Sequence, residues 1–216
     1  MISKALDSQC RPFNLRKRIG LQAGVEPRSA DVDWLIVPGE RIGAITPASS
    51  EAEFRQIYGD ENVAEAEVNI GEGETETGTV LFDKDPERRI QILWSNPQSK
   101  SKPARIQIDE PRNRWKTREG IAIGTSLHDL ERMNGRPFTL TGFGWDYSGT
   151  VVDWKDGVLE GFYGSWGRII LRLAPETGLP QDAPADVIGD RDIPSDQPSM
   201  QKLDPKVYQI IMQFER

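Results

Sequence analysis

Five residues recur at a constant offset in this chain, and that recurrence limits its possible folds more than any single motif does. Ile45, Ser50, Phe54, Ile57 and Gly59 return 76 positions later as Ile121, Ser126, Leu130, Met133 and Gly135. In both copies a serine stands where a helix N-cap belongs. Glu53 follows Ser50, and Asp129 follows Ser126, at capping-box spacing. Apolar residues follow at helical spacing, with Leu127 adding one a turn earlier, and a glycine sits where a left-handed residue ends a helix. Only about two turns fit between cap and glycine, so each helix must be held by packing.

The recurrence continues beyond the helices. Gly78-Thr79-Val80-Leu81-Phe82 matches Gly149-Thr150-Val151-Val152-Asp153, and Arg89-Ile90-Gln91-Ile92-Leu93-Trp94 parallels Arg168-Ile169-Ile170-Leu171-Arg172-Leu173. Each half closes on a further β-branched run, Ala104-Arg105-Ile106-Gln107-Ile108 and Val207-Tyr208-Gln209-Ile210-Ile211-Met212-Gln213-Phe214. The expected fold class is α+β, with two tandem units, each a short helical segment followed by an antiparallel meander of about four strands. Residues 1–33 read as an N-terminal arm, 34–112 as the first unit and 113–216 as the second. A long Pro-rich loop is expected at 174–205, and Gly71-Glu72-Gly73-Glu74-Thr75-Glu76 reads as a solvated loop.

A tandem pattern of this kind resembles the beta-lactamase inhibitor protein family and the small lipoproteins of the outer-membrane barrel-assembly machinery. Gly120-Ile121-Ala122-Ile123-Gly124-Thr125-Ser126, Leu130, Asn134-Gly135 and Asp156-Gly157-Val158-Leu159 carry the likeness best. The resemblance implies a sheet of about eight strands, one face backed by helices and the other free for a protein partner. It also implies export and a non-catalytic role. The chain departs from the inhibitor pattern in lacking cysteines to staple each unit. Shared architecture does not transfer a shared target.

The formal net charge is −7, which gives no drive toward phosphate backbones or anionic membranes. Nucleic acid is therefore not an expected partner, and Arg16-Lys17-Arg18 reads as a solvated segment. Cys10 is the single cysteine, which rules out an internal disulfide and a thiolate zinc site. No run approaches the ~20 apolar residues of a helical membrane span. Met1 to Asp7 hold no signal-like apolar run. The expected location is cytoplasmic, or periplasmic or extracellular if a leader has been lost.

The densest candidate surface is Phe143, Trp145 and Tyr147, followed by Trp154, Phe162, Tyr163 and Trp166. Read as a strand, 143–147 puts its three aromatics on one side, opposite in parity to Phe138 and Leu140. A bulge at Gly142 would return them to the core; without it they form an exposed face suited to anchoring a protein. A non-enzymatic protein-binding module is the leading expectation, with no cofactor and no metal. A carbohydrate hydrolase using Asp146, Asp153 and Glu160 is one alternative, and a structural subunit tethered by its arm and loop is another. Asp156-Gly157 reads as a hairpin turn, and His128, the single histidine, as a surface helix residue.

Overall fold

The computed structural model describes residues 33–163 and 167–214, with side chains given outside 163–168. The expected arm up to residue 32, Cys10 and the basic triplet lie outside the described residues. The first half of the chain runs β1 (Leu35–Val37), β2 (Arg41–Ile42), α1 (Glu51–Tyr58), β3 (Val63–Gly71), β4 (Glu74–Leu81), β5 (Ile90–Asn96) and β6 (Ser101–Ile108). The second runs β7 (Lys116–Thr117), α2 (Leu127–Asn134), β8 (Thr139–Thr141), β9 (Val151–Asp153) and β10 (Gly167–Ala174), then β11 (Asp192–Pro194), α3 (Pro198–Leu203) and β12 (Lys206–Phe214). The class is α+β. An antiparallel sheet in the order β10-β12-β6-β5-β4-β3 is joined by two three-stranded sheets, β2-β1-β7 and β11-β8-β9. No helix among the described residues is long and apolar enough to cross a membrane.

Both predicted caps form. Ser50 accepts from the Glu53 amide, and the Glu53 side chain returns to the Ser50 amide. Ser126 accepts from the Asp129 amide. Gly135 ends α2 in the left-handed region (φ 77°, ψ 2°), whereas Gly59 ends α1 with positive φ but extended ψ (87°, 150°). Phe54 and Leu130 turn into the core, while Ile57 departs from the expected pattern and is half exposed.

The bonds around the helices recur with the residues. Thr46 donates to Ser49 Oγ at 3.1 Å, and Ala122, 76 positions on, donates to Thr125 Oγ1 at 2.9 Å. The Glu51 amide meets the Lys100 carbonyl at 2.9 Å, and the Leu127 amide meets Pro205 at the same distance. Lys102 then donates to Ser49 and Val207 to Thr125, both at 2.9 Å. Each helix is thus hooked to the first residues of the strand that closes its half. Those two strands, β6 and β12, pair antiparallel inside the sheet, one strand in from the β10 edge. Ile106 faces Met212 and Gln107 faces Ile211 there.

One buried cluster draws on both halves. It includes Phe54, Trp94, Ile106, Leu130, Trp154, Leu171 and Ile210, packed between the helices and one face of the sheet. Burying such side chains contributes roughly 1.5–3 kcal/mol each. Thr150 bridges Arg172, so the β9 end of the small sheet continues past the β10 edge of the large one.

Four expectations are corrected. The acidic 71–76 stretch is a hairpin, not a free loop: β3 and β4 pair along their length and only its turn is irregular. Residues 174–205 are not one loop, because Val187, Ile193 and Met200 are buried and anchor a 3-10 turn, β11 and α3. The turn at Asp156-Gly157 leads into a 3-10 segment, Val158–Tyr163, not a second hairpin strand. The irregularity in β8 falls between Thr139 and Leu140, not at Gly142.

Candidate functional site

Gly144 and Gly149 both take positive φ (92° and 68°), so the chain turns at 143–149 and the predicted strand does not form there. The aromatic face expected from strand parity is split as a result. Phe143, Trp154 and Phe162 are buried, and Trp154 packs against Phe138 (ring centroids 5.0 Å) and Phe162 (6.2 Å). These three are core residues, not partner contacts. Trp145 and Tyr147 remain half-buried as an edge-to-face pair 5.8 Å apart. The Tyr163 side chain and Trp166 lie outside the described residues.

Tyr147 faces the side of the large sheet opposite the helices. That side carries Gln91 and Leu93 on β5, Arg105 and Gln107 on β6, Gln209, Ile211 and Gln213 on β12, and Arg172 on β10. It is not the free surface that the resemblance implied. Gln91, Leu93, Gln107 and Ile211 are buried, and the end of the β3–β4 hairpin bends across them. Gln107 Nε2 donates to the Asn69 carbonyl at 2.9 Å. Gly71, at the hairpin end, lies so close to Tyr147 that a Cβ there would come within 2.9 Å of its Oη. A side chain there would push the tyrosine ring aside, and the φ of 113° favours glycine in any case.

A chain of hydrogen bonds crosses three strands beneath this roof. Arg172 Nη1 donates to Gln209 Oε1 (3.1 Å), Gln209 Nε2 to Gln107 Oε1 (3.2 Å), and Arg105 Nη2 to the same Gln107 oxygen (2.9 Å). The Arg172 guanidinium also lies 5.1 Å from the Tyr147 ring centroid, within cation–π range. Both arginine Nε atoms are buried with no hydrogen-bond partner among the described residues. Burial, and then the like charge of Arg172, pull Arg105 below the usual guanidinium range. A cavity of about 530 Å³ opens beside Arg105. Ile70, Leu93, Trp94 and Phe214 supply its apolar wall, and Glu76, Ala104 and Gln213 complete it.

The carboxylates proposed for glycoside hydrolysis are placed otherwise. Asp153 is ion-paired to Lys155 at 2.8 Å, and that bond holds its carboxyl below the usual range. An acid catalyst needs the opposite shift. Asp146 and Glu160 are exposed, and Trp154 is enclosed in the core and so offers no sugar-stacking surface. His128 lies on α2, exposed, with Nδ1 3.0 Å from Asp204. No three His, Cys, Asp or Glu side chains among the described residues gather closely enough to hold a metal ion.

Of the groups gathered on this face, sequence reasoning singled out Tyr147 and its neighbour Trp145, and not Arg105, Gln107 or Arg172. The alternation Arg105-Ile106-Gln107-Ile108 was a visible signal, since it puts two polar groups on one strand face. Comparison with known proteins gives no match to this chain, whether among family models, curated proteins or solved structures.

Proposed function

We propose that this chain is a non-enzymatic protein-binding module of the cell envelope, built by tandem duplication of one α+β unit. It grips its partner at the cavity beside Arg105 and along the adjoining β3–β4 hairpin, where Tyr147 packs at Gly71 with Trp145 next to it. The cavity carries the reading: its volume and mixed apolar and charged lining suit the insertion of side chains from another protein. Duplication is supported by the recurring bonds that hook each helix to its closing strand. The likeness to the beta-lactamase inhibitor family and the barrel-assembly lipoproteins rests on this same architecture and supplies the envelope setting.

Photocrosslinking in the native cell tests the proposal. A benzophenone side chain placed at Ile70 or at Gln213 should each give the same discrete adduct, and one at exposed Val158 should not. Replacing Trp145 and Tyr147 together by alanine should weaken that adduct strongly, since aromatic anchors of this type contribute about 2 kcal/mol or more. Absence of any adduct from the two cavity positions rejects the reading.

A further inference from the structure

Eight described lysine and arginine side chains are half-buried. Six of them, Arg41, Arg55, Arg88, Arg89, Lys100 and Lys206, have a carboxylate within 4 Å. Arg105 and Arg172 have none among the described residues, although the chain as a whole is acidic. Glu76 attracts Arg105 from beyond ion-pairing distance, on the exposed part of β4. Half-buried charge without a counter-ion is unfavourable, and two like charges tied to one hydrogen-bonded pair of glutamines are more so. The Gln107–Gln209 chain nevertheless fixes both guanidiniums on one sheet face, and Arg105 reaches the cavity wall.

We propose that Arg105 and Arg172 together receive a carboxylate of the protein partner, an Asp or Glu side chain on an extended acidic segment, with a neighbouring apolar side chain filling the cavity. This inference rests on the protein-binding reading and names the chemistry of the partner. A guanidinium presents a planar fork of donors that matches a carboxylate, and its unused donors become paired on binding. Ile70, Leu93, Trp94 and Phe214 beside Arg105 favour a segment that alternates acidic and apolar residues over a bare inorganic anion.

The test follows the arginine Nε–H signals of the full chain by NMR. Three probes are titrated: an acetylated, amidated Leu-Glu-Leu-Glu-Leu peptide, its glutamine counterpart, and inorganic phosphate. The Arg105 and Arg172 signals should shift saturably with the glutamate peptide and at least tenfold less readily with the other two. Arg105→Gln should abolish the response. Arg105→Lys keeps the charge if the glutamine variant fails to fold, and should retain a weakened one. Equal binding of the glutamine peptide, a stronger response to phosphate, or unmoved signals with all three probes overturns the inference. Crosslinks from the cavity with unmoved signals remove the carboxylate while leaving the binding reading. Shifted signals without any crosslink remove the protein partner, and the inference with it.

Discussion

Glu51 occupies the first position of α1 with its carboxylate turned toward the sheet. Thr79 Oγ1 donates to it at 2.6 Å, Arg55 at 2.9 Å and Lys100 at 3.1 Å, and Trp94 Nε1 donates in turn to Thr79 Oγ1 at 2.9 Å. Burial pushes the Glu51 carboxyl up, but these three partners outweigh it and hold the group below the usual range. A folded value below the unfolded one stabilises the protein fully above about pH 4.3, and the gain is lost as pH falls through the folded value. Glu51→Gln should therefore cost about 1–3 kcal/mol at neutral pH, and the difference from wild type should shrink in acid. Denaturant titrations at several pH values would measure it, and a difference independent of pH would reject the assignment. Trp154→Ala should cost about 3–5 kcal/mol while leaving the partner adduct intact in whatever fraction still folds, because this residue is core and not contact. Its place shows a limit of reading aromatics from sequence. Nearness in sequence to Phe143, Trp145 and Tyr147 put it in the candidate surface, but three-dimensional neighbours such as Phe138 enclose it.

At the scale of elements, the short helices depend on their caps. Ser50→Ala and Ser126→Ala should each lower stability by about 1 kcal/mol, read as shifts in denaturation midpoint at unchanged slope. Both caps were legible in the sequence because capping acts over three residues, as were β5, β6 and β12. Elements were missed where the information is not local. In the β3–β4 hairpin, β4 is polar on both sides from Glu74 to Thr77, and β3 alternates only through the small Ala64 and Ala66 before Val68 and Ile70, so the apolar signal is weak. The 143–149 turn carries a strand-like pattern, and two glycine conformations override it. The paired arginines could not be found from either strand alone, since β12 lies between β6 and β10 and its register brings them to one face.

Over the whole molecule, the two halves share one core and meet at the β6–β12 ladder. Calorimetry of the full chain should show a single cooperative transition for this part of the protein. A fragment ending at residue 112 would expose the unpaired side of β6 and lose the second-half members of the core. It should therefore show no cooperative transition, and a well-defined melt of that fragment would contradict the shared-core description. The outermost strand of the large sheet, β3, has no strand paired along its outer edge among the described residues, and Glu65 and Glu67 are exposed on it. Two copies brought together along that border would set these acids against each other. Glu65 is already paired to Lys100 at 2.9 Å, so it is chiefly repulsion between the Glu67 side chains that opposes fibre-like stacking there.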